Sequence, residues 1–249
     1  MANATYTLWS RSMKKYFRSP SRIIGSLGMP LFFLVILGFG LNSLSIGGSG
    51  GNYVQFIVPG IIAMTIMFTA IFSGIQLIFD KQFGFLKETL VAPVSRNSIM
   101  LGQTLGGATT ALLQGIIVLV LSLLIGGVAF HLSGFLIALA FMVLIGMAFT
   151  ALGIAIASRM DDMQGFQLIM NFVIFPIFFL SGALFPLTSA PAILKGIAHF
   201  NPLSYGIEGI RYGLLGVSQI NIGLCLLVLG VFTVAIILLG GALFRKIKA

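Results

Sequence analysis

Charge is scarce in this sequence: 8% of its 249 residues are Asp, Glu, Lys or Arg, where a soluble domain carries about 25%. A water-facing surface of the ordinary kind cannot be built from so few. Acids are rarer than bases. There are five, Asp80, Glu88, Asp161, Asp162 and Glu208, and each falls between apolar runs. No Asp, Glu, Lys, Arg or His lies near the middle of a run. Carriers driven by protons or ions usually hold titrating or coordinating groups at that depth. Their absence weighs against that class, although backbone carbonyls can also bind sodium.

Cysteine occurs once, as Cys225 inside an apolar run. It has no internal disulfide partner and reads as a small hydrophobe. His131 and His199 have no acid or cysteine to pair with, so neither a metal site nor a catalytic triad is expected. Membrane enzymes gather His, Asp, Glu or Cys at one depth, and nothing here does so. The stretch Gly47-Gly48-Ser49-Gly50-Gly51 lacks the Lys-Ser/Thr ending of a phosphate loop and reads as a flexible linker. No cofactor is therefore expected on this chain. A cleaved leader is not expected either: the first apolar run begins near Ile23, is about 19 residues long, and has no small-residue cleavage site after it.

What the sequence has in quantity is apolar surface. Hydrophobic residues make up 58% of the chain, with 31 glycines spread among them, and the mean hydropathy is +1.12. Glycine costs roughly 1 kcal/mol against alanine in a soluble helix, but in a membrane it lets helices approach closely. Six segments reach the roughly 20 apolar residues that a spanning helix needs: about 23–42, 56–79, 99–126, 134–157, 166–184 and 220–243. The expected fold is all-α: one integral membrane bundle of six transmembrane helices over 23–249, preceded by a cytoplasmic segment, 1–22.

The formal charge of +9 comes from 14 Lys and Arg that flank the apolar runs, where they meet anionic headgroups rather than nucleic acid. With the N-terminus inside, only Lys195 and Arg211 lie outside. An even number of spans returns the C-terminus to the cytoplasm. The segment 5–20 reads as an amphipathic interfacial helix, with Leu8, Trp9, Met13, Tyr16 and Phe17 on one half and Arg11, Lys14, Lys15, Arg18 and Arg22 on the other. Ser19-Pro20 ends it before the first span.

Two connections stand out. Residues 185–215 are too apolar to be freely solvated and too broken to span, which is the pattern of a re-entrant external helical segment between spans 5 and 6. Glu208 and Arg211 lie three apart there and can pair; an exposed pair of this kind contributes roughly 0–1 kcal/mol. The other, 80–98, is the longest cytoplasmic connection and mixes Phe83, Phe85, Leu86 and Leu90 with Lys81, Lys87, Glu88 and Arg96. Aromatics beside charges suit a docking knob for a soluble partner. They equally suit a snorkelling interfacial loop, and composition leaves both open. In span 3, Gly102 and Gly106 form a Gly-xxx-Gly pair expected to pack helices within one subunit rather than between two.

Four stretches, in order along nearly the whole chain, carry a family resemblance: Phe17-Arg-Ser-Pro20; Phe56-Ile-Val-Pro-Gly60; Asp80 to Arg96; and Leu180-Ser-Gly-Ala-Leu-Phe-Pro186 with Asn201-Pro-Leu-Ser-Tyr205 and Arg211. Together they resemble the daunorubicin-resistance-like branch of type-2 ATP-binding-cassette (ABC) exporter permeases. The resemblance implies a permease dimer, homodimeric or paired with a sister chain, with separate ATPase subunits docked on its cytoplasmic side. ATP and Mg would be bound by those partners. The coupling segment would comprise Lys81, Phe83, Gly84, Phe85, Leu86, Lys87, Glu88, Leu90 and Arg96. An external re-entrant gate would comprise Pro186, Pro202, Tyr205, Glu208 and Arg211. Substrate would leave through a cavity at the dimer axis lined by spans 2 and 5.

Those two spans carry Phe68, Phe72 and Gln76, and Gln167, Asn171, Phe175 and Phe178. Aromatic walls with a few uncharged polar groups suit a hydrophobic or amphipathic cargo such as a drug, lipid or glycolipid; the same residue types also serve as ordinary packing and lipid-facing groups. The resulting expectation is the permease subunit of an ATP-driven exporter in the cytoplasmic (inner) membrane, itself not an enzyme. The competing class is a self-sufficient secondary carrier or facilitator without an ATPase.

Overall fold

The computed structural model describes residues 2–40, 53–91, 94–124, 131–187 and 191–245. The glycine-rich linker, the turn ahead of His131, and Lys246 and Lys248 lie outside them, as do the side chains of Arg22, Lys87 and Leu90. Among the described residues there are eleven helices and no strand: α1 (Ala2–Phe17), α2 (Pro20–Gly40), α3 (Tyr53–Phe72), α4 (Ile75–Gln82), α5 (Phe85–Val91), α6 (Arg96–Leu124), α7 (Leu132–Ala157), α8 (Met163–Phe179), α9 (Ala192–Phe200), α10 (Pro202–Leu215) and α11 (Ile222–Arg245). Four stretches are long and apolar enough to cross a membrane: Tyr53–Gln82, which joins α3 and α4, and helices α6, α7 and α11. Two shorter apolar segments, Ile23–Gly38 and Met163–Phe179, accompany them.

The bundle is organised around α3. Every residue from Ile57 to Met67 is buried, because α2, α6, α7 and α10 all pack against this helix. α11 shows the opposite economy. Cys225, Leu229 and Thr233 recur at four-residue spacing on its buried face, while Leu227, Val231, Val234 and Leu238 stay exposed. An apolar face left without protein partners is what a helix offers to lipid.

The second apolar run, read from sequence as one span over 56–79, is one stretch, Tyr53–Gln82, with a bend inside it. α3 ends at Phe72, Ser73 and Gly74 make a turn, and α4 resumes at Ile75. The cause is a close backbone approach: a β-carbon on Gly74 would stand 2.6 Å from the Gly153 carbonyl oxygen of α7. Small residues on both sides let the two helices touch, and the chain bends there.

α1 departs from a simple interfacial helix. It lies lengthwise along the first half of α6, with Thr5 Oγ1 donating to the Ser98 carbonyl at 3.2 Å. Trp9 Nε1 donates to Thr109 Oγ1 at 3.1 Å, and the Tyr16 hydroxyl donates to Gln114 Oε1 at 2.6 Å. Burial raises the Tyr16 phenol above its ordinary pKa, which keeps it a neutral donor. Gly102 and Gly106 form the seat for α1: a β-carbon on Gly106 would meet Ser12 Oγ at 2.5 Å. The glycine pair therefore packs helices inside one chain. Gly106→Leu is expected to lift α1 off α6, at about 1–3 kcal/mol. Trp9 is the sole tryptophan, so a red-shifted emission with stronger quenching by aqueous iodide would report the loss, and unchanged emission would show that α1 seats elsewhere.

Candidate functional site

Three groups of residues surround this core. The first is the elbow formed by α4 and α5. Asp80 lies in the last turn of α4 and is buried. A carboxylate there needs a counter-ion, and Arg11 of α1 supplies it with Nη2 2.9 Å from Oδ1 and Nη1 3.3 Å from Oδ2. Gln76 Nε2, one turn back on α4, donates to the same Oδ1 at 2.8 Å. The Arg11 guanidinium also lies over the Phe85 ring, 3.7 Å from its centre, a cation–π contact. One arginine thus ties α1 to both arms of the elbow.

Lys81 works in the other direction. Its ammonium donates to the carbonyls of Ala157, Ser158 and Met160 and to Asp161 Oδ1, at 2.9–3.3 Å. The carbonyls lie at the end of α7 and in the turn just beyond it, where a cation also complements the helix dipole. Gln82 Nε2 adds a bond to the Asp161 carbonyl at 2.8 Å. Asp162 caps α8, accepting from the Gln164 and Gly165 amides. Arg96 donates to the Arg245 carbonyl, and Arg245 Nε to Asn97 Oδ1 at 2.9 Å, so α6 begins against the end of α11.

The expected coupling segment therefore divides. Lys81, Phe85 and Arg96 are engaged within the chain, and Leu86 is buried. Gly84, at φ 77°, makes the bend between α4 and α5, a conformation that suits glycine. Phe83 is 78% exposed and stacks on Phe79 with ring centres 6.0 Å apart. Glu88 is exposed. Sequence reasoning missed Val91, 82% exposed at the end of α5, and it missed the role of Arg11, which the helical wheel sets with the other bases on the polar half of α1. The available signal was Asp80 itself, an acid at the edge of an apolar run with no basic residue one turn before it.

The second group lines a cleft of about 340 Å³ between α1, the start of α2, the end of α3, α4 and α6. Phe68, Phe72 and Gln76 all face it, together with Ser73, Gln103 and Thr110. No α8 residue lines it among those described. Gln167, Asn171 and Phe175 recur at four-residue spacing on one side of α8, where Gln167 and Phe175 are exposed; Phe178 is turned into the core. The two sets meet where the Phe68 and Phe175 rings cross edge to face, 5.9 Å apart.

The third group belongs to α10 and its flanks. Asn201 Oδ1 accepts from the Leu203 amide at 3.0 Å, capping the helix, while its Nδ2 donates to the Ile177 carbonyl at 2.6 Å. Pro202 occupies the first turn, where its missing amide is harmless. The Tyr205 hydroxyl donates to the His199 carbonyl at 2.8 Å. Glu208 and Arg211, weighed from sequence as an exposed pair, are buried together. Arg211 Nη1 is bonded to Glu208 Oε1, and Nη2 donates to the Gly182 carbonyl at 3.2 Å. Its guanidinium sits 4.4 Å from the Phe56 ring centre. Glu208 Oε2 accepts the Gln219 amide at 2.6 Å. The pair binds α10 to the turn after α8, to α3 and to the connection that leads into α11; Pro186 is half-buried beside that turn.

A family model described as ABC-2 type transporter matches residues 3–215. Over 251 residues the chain is 31% identical to the inner membrane transport permease YadH of Escherichia coli K12, covering 98% of this chain and 95% of that one. It is 30% identical to nodulation protein J of Rhizobium leguminosarum bv. viciae over 242 residues, covering 96% and 93% of the two chains. It is 33% identical to the putative transport permease ycf38 of Porphyra purpurea over 208 residues, covering 82% and 72%. A helical bundle with apolar spans, matched along nearly its full length by transport permeases, is a membrane transport subunit, and this chain belongs to the ABC-2 type transporter family.

Proposed function

We propose that this chain is the membrane-spanning half of an ATP-driven exporter of hydrophobic or amphipathic molecules, powered by a separate ATPase that docks on the α4–α5 elbow. In this reading α2 and α8 complete six spans and both termini face the cytoplasm. α9 and α10 re-enter from outside, and two permease subunits enclose the pathway. The observation that carries the proposal is the elbow. Its exposed apolar residues are Phe83 at the bend and Val91 at the end of α5, while its base is braced to α1 through Arg11 and to α7 through Lys81. A push on the elbow is thereby delivered to the bundle through charge-assisted bonds.

The test is co-purification followed by transport. The chain is expected to recover a soluble ATPase from its native membrane and to move amphiphiles in liposomes only when that ATPase and ATP are present. Transport by the chain alone would overturn the scheme in favour of a self-sufficient carrier. Phe83→Ala with Val91→Ala is expected to weaken ATPase binding at least tenfold, since two central apolar contacts of an interface are worth about 1–2 kcal/mol each. Binding to inverted vesicles checks this. Tight binding by the double variant would place the docking surface elsewhere.

A further inference from the structure

A basic amphipathic helix lying flat in the interface spreads its bases over many lipids. α1 runs lengthwise along α6 instead, and its packing gathers the bases. Leu8, Trp9 and Tyr16, from its apolar half, are seated on α6, which turns the other half outward. Thr7, Arg11, Lys14 and Arg18 recur at spacings of three and four, so they share one face. With Tyr6, Ser10 and Lys15 they line an open groove of about 620 Å³. No carboxylate is among the described residues that line it.

The four bases are not equivalent. Arg11 is committed to Asp80 and Phe85, and Lys15 reaches both this groove and the cleft beside it. Lys14 and Arg18 are exposed, lie one turn apart on the same face, and repel one another. An anion held between them removes that repulsion. Arg18 also sits at a boundary. The apolar segment Ile23–Gly38 begins five residues after it, and bases that flank such a segment meet lipid headgroups. Phe17, beside Arg18, and Ile24, at the start of α2, are 67% and 71% exposed. This end of the groove therefore sets cations next to bare apolar side chains.

We propose that the corner between α1 and α2 binds the phosphate of an anionic phospholipid from the surrounding monolayer, between Lys14 and Arg18. The lipid is a resident of the protein's boundary, not its cargo. Its acyl chains start over Phe17 and Ile24. Those two residues favour lipid over a soluble acidic peptide, because α2 carries Ile24 toward the hydrocarbon. Arg11 lies one turn before Lys14 on the same helix, so a headgroup that fixes this end of α1 also steadies the brace to Asp80. The inference uses the reading of α2 as a span and needs neither the ATPase nor a substrate. Loss of lipid selectivity and loss of ATP coupling are thus separate outcomes.

The test counts lipids bound to the full chain, delipidated in a neutral maltoside detergent, by native mass spectrometry. The probes are phosphatidylglycerol and phosphatidylcholine with the same acyl chains. The first phosphatidylglycerol is expected to bind with half-saturation at least tenfold below that of phosphatidylcholine. A base near an anionic headgroup is worth about fivefold in affinity, so Lys14→Gln with Arg18→Gln is expected to raise the phosphatidylglycerol value at least tenfold. Lys14→Gln alone is expected to raise it two- to fivefold. Arg159→Gln, which removes an exposed base from the turn after α7, is expected to change neither lipid's value. Equal binding of the two lipids, indifference to the Lys14 and Arg18 substitutions, or an equal loss with Arg159→Gln would each overturn the proposal. So would displacement of the lipid by 10 mM inorganic phosphate at matched ionic strength, which would show a site for a soluble anion. Displacement by an oligoglutamate peptide at a lower concentration than the lipid itself would overturn it in favour of an acidic protein partner.

Discussion

Arg211→Ala is expected to destabilise the protein by about 3–5 kcal/mol and to leave little of it folded. Arg211 and Glu208 are only 6% and 4% exposed. Removing the guanidinium strands the Glu208 carboxylate among α3, α7 and α11, away from water, where an unpaired charge is heavily penalised. It also deletes the bond to Gly182 and the contact with Phe56, so α10 loses its ties to two neighbours at once. Changing both partners, Glu208→Met with Arg211→Met, is expected to do less harm than Arg211→Ala alone, because no charge is left behind. Thermal midpoints of detergent-solubilised protein, followed by size-exclusion chromatography, provide the comparison. A loss below about 1 kcal/mol for Arg211→Ala would mean that water reaches the pair.

The second large effect falls on coupling rather than on folding. Arg11→Ala removes one of the elbow's two braces and is expected to lower ATP-dependent transport ten- to a hundredfold while the protein still assembles. The stability change is expected to be smaller, about 2 kcal/mol, because Arg11 keeps 28% of its side-chain exposure and solvent screens the pair. Exchanging the charges, Arg11→Asp with Asp80→Arg, is expected to recover part of the transport, although the contact over Phe85 is not rebuilt. If Arg11→Ala transports normally with its ATPase, the elbow does not transmit motion through α1. If the exchange recovers nothing, the ring contact or Gln76 outweighs the ion pair.

The class of fold was legible because composition decides it: long apolar runs with flanking bases leave few alternatives to a helical membrane bundle. The Gly102–Gly106 seat was legible for the same reason, since small residues at that spacing mark a close helix contact. What resisted was everything set by distant partners. Arg11 and Asp80 lie 69 residues apart, and a helical wheel sorts side chains by face without saying which neighbour covers that face. Lys81 reads as a surface charge from its sequence context, and only the end of α7 shows why its ammonium is turned inward. The break at Ser73–Gly74 is silent in hydropathy because apolar residues continue on both sides of it, up to Phe72 and again at Ile75, Leu77, Ile78 and Phe79. Phe175 and Phe178 look alike in sequence; two residues separate them, yet one is exposed and the other faces the core.

α6, with 29 residues, is about 43 Å long at 1.5 Å per residue, whereas the hydrocarbon core of a bilayer is about 30 Å thick. Roughly two and a half turns are surplus, and α1 is seated along the half of the helix that begins at Arg96. The lipid thus sets how far this stem stands proud of the membrane. A thicker bilayer would swallow part of the shelf on which α1 rests, and a thinner one would tilt the stem or lengthen its bare portion, each for a fraction of a kcal/mol per Å. Membrane thickness becomes a dial on the machine.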